Sequence, residues 1–225
     1  MRPTIARRQR GESLISLMVG LLLSTVVALA MLSMFKVSTR YGGQAGQDAA
    51  ADAQITAALL RAGLAVQDAG FGIASASLGT QLVVLSGAAL NGTLLTGTTV
   101  ATGSSGNAVL WAMNTGTAQC AGLLFDASTS GTGGLYYLGP LTCSAGSVSS
   151  WGSLAWNATR WADRPANQAA VAYNQTAITF SVASTACKPF GLTASSGNVV
   201  WTLASTNRSG APLTEQQCLF NFKAS

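Results

Sequence analysis

The sequence contains no histidine, and Asp, Glu, Lys and Arg together make up only 8% of its 225 residues. An ordinary soluble domain carries about 25%. Without histidine, neither a Ser-His-Asp nor a Cys-His nucleophile can be assembled, and imidazole metal ligation is excluded. Cysteine is limited to Cys120, Cys143, Cys187 and Cys218, with no C-x-x-C pair, so the common zinc and thiol-redox patterns are missing too. Beyond Asp68 the only carboxylates are Asp126, Asp163 and Glu215, too scattered to argue for a glycosidase pair. The glycines from Gly131 to Gly134 read as a turn and lack a phosphate-binding lysine, and Ser33-Met34-Phe35-Lys36 matches S-x-x-K by coincidence at the end of an apolar run. No enzyme activity, cofactor or metal is expected. Nor is nucleic acid: subtracting Arg2, Arg7, Arg8 and Arg10 from the formal charge of +5 leaves +1, with no basic patch.

What the chain does hold is apolar: 48% of residues, with a continuous run at the start. No charge falls between Glu12 and Lys36. As a helix, roughly 23 such residues reach about 34 Å, enough to cross a bilayer's hydrocarbon core. Arg7, Arg8 and Arg10 precede the run and place its N-terminus on the cytoplasmic side. From the residues alone, an uncleaved signal anchor fits. So does a cleaved secretory signal ending at Ala28-Leu29-Ala30, although apolar residues continue through Met31, Leu32, Met34 and Phe35.

A third reading rests on Arg10-Gly11 followed by Glu12-Ser13-Leu14-Ile15-Ser16-Leu17-Met18-Val19-Gly20. This stretch resembles the class III signal of type IV prepilins and pseudopilins. The resemblance implies cleavage by a prepilin peptidase between Gly11 and Glu12, methylation of the new N-terminus, and an assembly helix led by Leu14, Ile15, Ser16, Leu17 and Met18. Two positions depart from the family pattern: Glu12 stands where Phe is usual, and Ser16 where Glu is usual. In the family that glutamate neutralises the N-terminal amine of a neighbouring subunit. An unpaired charge within an apolar bundle is costly, so Ser16 hints at a tip or priming position with no preceding neighbour; Glu12 supplying the carboxylate from a shifted position is the alternative.

Beyond Phe35, Lys36 and Arg40 mark the outer membrane interface, and Gly42, Gly43 and Gly46 predict a kink or local melting. From Gln47 to Val66 helix formers return. Ala53, Ala57, Leu60 and Leu64 form the expected packing stripe, flanked by Ile55 and Leu59, and no proline occurs between Pro3 and Pro140. Gly70 and Gly72 are expected to end the helix. The segment from Leu59-Leu60-Arg61 to Ala69-Gly70-Phe71-Gly72 is similar to the helix exit of PilW-like minor pilins.

From Gln81 the pattern is β. Strands are expected at 81–85, 108–113, 122–125, 135–138, 171–173, 178–182, 199–203 and 219–222, separated by Gly, Ser, Thr and Asn clusters. Four cysteines outside the membrane read as two disulfides. Three connectivities are possible; Cys120–Cys143 and Cys187–Cys218 are favoured because each closes a loop between neighbouring strands, with free buried thiols the alternative. Trp151, Trp156 and Trp161 recur every five residues beside Arg160 and Arg164. They form either an exposed binding surface or the anchor of a long loop on the sheet. Asn91, Asn157, Asn174 and Asn207 each begin an N-x-S/T triplet, as chance provides in so Ser/Thr-rich a chain.

The expected architecture is α+β: a long N-terminal helix, its inner half transmembrane, packed on a C-terminal antiparallel sheet domain. Its parts are a leader at 1–11, an assembly helix at 12–35, an amphipathic continuation at 36–70 and a β-rich domain at 71–225. The resemblance implies a minor pilin that primes or caps a type IV pilus. Its partners would be other pilins, the prepilin peptidase and the inner membrane, with the β domain periplasmic and later on the pilus. A type II secretion pseudopilin and a membrane-anchored adhesive domain are the alternatives.

Overall fold

The computed structural model describes residues 14–128, 133–143, 147–163, 177–188, 197–206 and 211–222. One helix, α1, runs Leu14–Val66. The chain divides into two compact units, Met1–Ala49 and Ala50–Ser225, and α1 contributes to both. In the first unit, Leu14–Gly46 is long and apolar enough to cross a membrane, with mean hydropathy 2.5 and no residue buried. The helix continues unbroken through Gly42, Gly43 and Gly46, where melting is predicted. Isolated glycines cost about 1 kcal/mol each, and good helix formers on either side carry the hydrogen-bonded ladder across them.

The second unit opens with the remainder of α1. Its buried face is Ile55, Ala58, Leu59, Ala62 and Val66; Ala53, Ala57, Leu60 and Leu64, the stripe expected from the sequence, point away from the core. Alanine spread all around this segment leaves the apolar phase ambiguous, and the sheet selects the line that carries Ile55 and Leu59. Small Ala58 and Ala62 let the helix approach the strands closely. The helix stops at Val66 rather than at Gly70. A turn follows in which Gly70 N–H donates to Ala112 O (2.8 Å) and Asn114 N–H donates to Phe71 O (2.8 Å). At Gly72, with φ +69°, a Cβ would overlap the Asn114 carbonyl oxygen, so the Gly-Phe-Gly step is where backbone crosses backbone.

Ten strands follow among the described residues: β1 Leu82–Asn91, β2 Leu94–Thr99, β3 Ser105–Gly106, β4 Ala108–Asn114, β5 Ala118–Asp126, β6 Gly134–Thr142, β7 Ala158–Asp163, β8 Thr179–Cys187, β9 Gly197–Thr206 and β10 Pro212–Cys218. They form two antiparallel sheets, ordered β2-β1-β4-β5-β6-β7 and β10-β9-β8-β3. The sequence predicts β1, β4, β5, β6, β8 and β9 at shorter length and misses β2, β3, β7 and β10. Leu219–Phe222 is a turn after β10, with Leu219 and Phe222 plugged into the core, and not a strand. The segment expected at 171–173 lies outside the described residues. At the corner between β3 and β4, Asn107 Oδ1 accepts from Ala88 N–H, while its Nδ2 donates to the Ala88 and Phe125 carbonyls (2.7 and 3.1 Å). One side chain thus satisfies three backbone groups where the chain passes from one sheet to the other.

The six-stranded sheet is covered on both faces. Leu82, Val84, Val109, Trp111, Leu123 and Phe125 pack with α1 and with Phe180, Val182 and Trp201 of the second sheet. Val83, Leu85, Leu110, Leu124 and Leu138 pack on the opposite side under Val148 and Trp156 of the 147–157 loop. Cys120–Cys143 and Cys187–Cys218 are both bonded, the pairing favoured from the sequence, with Cα atoms 5.6 and 5.7 Å apart. The first ties the covering loop to β5.

Replacing Leu59 by Ala is expected to lower the unfolding free energy by about 2–4 kcal/mol, and replacing Leu60 by Ala by less than about 0.5 kcal/mol. Urea denaturation of the extracted protein distinguishes this from the reversed order, which the expected stripe would have given.

Candidate functional site

The tryptophan cluster is the one sequence feature that pointed to a binding surface, and the fold takes it apart. Trp156 is buried (1% exposed) in the core beneath the loop, its Nε1–H donating to the Trp151 carbonyl (3.0 Å) and its backbone N–H to Thr93 O (2.8 Å). Trp151 opens a short 3-10 turn, Trp151–Ser153, and packs half-buried against the same core. Trp161 is on β7 and packs against the other core, on the helix side of the sheet. Five-residue spacing across a loop and into a strand therefore sends Trp156 and Trp161 to opposite faces. They anchor a loop and an edge strand and do not form a common platform.

Around Trp161 the structure assembles a column that sequence reasoning missed. The Trp161 and Tyr137 rings stack at 4.8 Å with planes 4° apart, and Trp111 lies 6.4 Å further in. The Arg61 guanidinium of α1 lies 5.1 Å over the Trp161 ring. Tyr137 and Arg61 thus both engage the Trp161 ring within the fold. The Arg61 contact fastens the helix to β7, and a cation over an indole contributes about 0.5–1 kcal/mol at an exposed site. Gln54 of α1 reaches Asp163 Oδ2 at 3.5 Å, while Arg160 Nε holds Asp163 Oδ1 at 2.8 Å; Arg160 is thus engaged along its own strand. Arg164 lies outside the described residues. The signal available beforehand was the pairing of Arg61 with an aromatic-rich strand, which no local spacing reveals.

Gly11 and Glu12 also lie outside the described residues. Leu14, Ile15, Ser16, Leu17 and Met18 form the first turns of α1 and are exposed. A cavity of about 310 Å³ opens between Leu78, Leu82, Val84, Val100 and Val182, with Thr99 and Thr102 its only hydroxyls and no charged group in its wall. That lining offers shape and weak hydrogen bonding but no catalytic chemistry. Among the described residues no group of three His, Cys, Asp or Glu converges as a metal site. Comparison with family models, curated proteins and solved structures finds no match.

Burial pushes the Tyr137 phenol above its ordinary value near 10, and the nearby Asp68 carboxylate adds to the rise. The fold therefore favours the protonated phenol. Above pH 10 the unfolded chain gives up this proton first, so stability falls as pH rises from the ordinary phenol value through the raised one. The denaturation midpoint is expected to decline above pH 10, and Tyr137→Phe to reduce that decline; an identical decline in the variant would contradict the assignment.

Proposed function

We propose that the chain is a minor-pilin-like subunit that primes or caps assembly of a type IV pilus from the inner membrane. The observation that carries this reading is one helix with two jobs. Over Leu14–Gly46, α1 is an unburied apolar segment of membrane-spanning length. From Ile55 to Val66 it supplies the core of an antiparallel β unit closed by two disulfides. A simple anchor needs only the first property, and a cleaved signal would not be needed by the fold that follows. The prepilin-like stretch around Gly11 adds a cut on the cytoplasmic side that leaves the whole helix on the mature protein, starting at Glu12.

The physical chemistry agrees with the topology this requires. Arg7, Arg8 and Arg10 keep the leader in the cytoplasm, and the disulfides belong in an oxidising compartment, here the periplasm. Leu14, Ile15, Leu17 and Met18 present apolar surface to sibling helices, while Ser16 offers no carboxylate to a preceding subunit's amine. That makes a position with no such neighbour, at the tip, the favoured one. The adhesive alternative loses its main support, since Trp156 is buried and the Trp161 ring is engaged by Tyr137 and Arg61 within the fold.

Intact mass and N-terminal sequencing of membrane-extracted protein, made with and without prepilin peptidase, test the proposal. A start at Glu12 that appears only with the peptidase is expected. A start at Met31, or an unprocessed Met1, would overturn it.

A further inference from the structure

We infer that the Cys187–Cys218 disulfide is a redox latch: a dithiol reductant opens it while Cys120–Cys143 stays closed, and its opening releases β10 and the turn after it from the end of α1. The inference goes beyond the assembly role above and does not depend on leader cleavage. The two disulfides lie in opposite surroundings. Cys120 is 0% and Cys143 6% exposed, both within the core beneath the 147–157 loop. Cys187 and Cys218 are partly exposed, and neither belongs to a buried cluster. Cys187 ends β8 beyond a break in the β8–β9 register after Ser184, where Ser184, Thr185 and Ala186 are all exposed. Exchange needs a thiolate to reach a sulfur, so access separates the two bonds.

Lys188 follows Cys187 directly and is exposed. A neighbouring cation favours the thiolate form, so Cys187 is the better leaving sulfur. The first thiolate of the dithiol attacks Cys218 Sγ, the S–S bond breaks, and Cys187 leaves as a thiolate and takes up a proton. The second thiolate of the dithiol then attacks the mixed disulfide at the dithiol's own sulfur. The dithiol becomes a disulfide, and Cys218 leaves and is protonated in turn. Two electrons and two protons thus pass from the dithiol to the chain.

What the latch ties down has few other fastenings. β10 is at the edge of the four-stranded sheet, paired with β9, and has no fully buried residue. It meets α1 through side-chain amides: Gln67 Nε2 donates to Gln217 Oε1 (3.2 Å), and Gln217 Nε2 donates to Glu215 Oε1 (2.8 Å). Gly63 leaves room for them, since a Cβ there would lie 3.3 Å from Gln217 Nε2. Bonds of this kind are readily replaced by bonds to water. Cys218 joins β10 to the turn in which Asn221 closes on the Gln67 and Ala69 carbonyls, with Leu219 and Phe222 as its deep anchors. With the disulfide closed, this strap is fixed to β8 across β9; with it open, β10 is left to its ladder and its amides.

The test uses the extracted full chain, treated with dithiothreitol under native conditions, trapped over time with N-ethylmaleimide and mapped by mass spectrometry. Cys187 and Cys218 are expected to be labelled at least tenfold faster than Cys120 and Cys143. In the chain reduced only at Cys187–Cys218, amides of β10 and of residues 67–69 should exchange with deuterium at least tenfold faster than in the oxidised chain. Those of β4 and β5 should exchange at an unchanged rate. Cys187→Ser combined with Cys218→Ser should fold and reproduce this pattern without reductant. Equal labelling of the two pairs, or earlier labelling of Cys120 and Cys143, would overturn the inference. So would unchanged exchange in β10 after reduction. An equal rise in β4 and β5, or failure of the double variant to fold, would also overturn it, because the bond would then hold the whole fold and not a strap.

Discussion

Val109, Trp111 and Met113 of β4 turn to one side of the six-stranded sheet, and Ala108, Leu110 and Ala112 turn to the other. Every one of them is buried, so neither face of this strand can meet water. The same holds for β5, where Gly122 leaves room for Leu110 to pack across the strand: a Cβ there would overlap the Leu110 side chain. A sheet of this kind needs a layer on each side. One is supplied by α1 together with the second sheet. The other is an irregular loop, which has little regular hydrogen bonding of its own. Its place is held by the Cys120–Cys143 link, by Trp156 inserted into the sheet and by the bond from that indole to Trp151.

With so few charges, this fold relies little on ion pairs; Arg160–Asp163 is on the surface, where such a pair contributes at most about 1 kcal/mol. Disulfides and side-chain amides take over at the seams. Asn221 Nδ2 donates to the Gln67 and Ala69 carbonyls at 3.3 and 2.9 Å, closing the end of α1 against the turn that follows β10. Asn107 does the same at the corner between the sheets. The chain's helix has two kinds of surroundings in succession: an exposed apolar stretch long enough to cross a membrane, then a stretch packed into a protein core. The second stretch is rich in alanine, which is tolerated on either side. The first carries Leu, Val and Met on every side.

The same economy decides what could be read in advance. Strands buried on one or both faces were legible, because Ile178-Thr179-Phe180-Ser181-Val182 alternates and Ala108–Met113 is an unbroken apolar run. Edge strands were not. β2, Leu-Leu-Thr-Gly-Thr-Thr, is largely exposed, β10, Pro-Leu-Thr-Glu-Gln-Gln-Cys, has no fully buried residue, and neither carries an apolar period to find. The helix was legible as a helix, yet its buried line was placed half a turn away, since alanine marks no face. The disulfides followed from loop closure between neighbouring strands. The tryptophans could not be resolved from spacing: whether residues five apart share a surface depends on where a loop ends and β7 begins, and that boundary is set by pairing with β6.

The central claim is that the outer part of α1 is core and not tether. Native-state hydrogen exchange on the extracted protein tests it most directly. Amides from Ala58 to Val66 should exchange only through global unfolding, at the same free energy as those of β4 and β5. Exchange of Ala58–Val66 well before those strands would mean that the helix merely leads to the β unit, and the account of one helix that is apolar and exposed at its start and core at its end would fail.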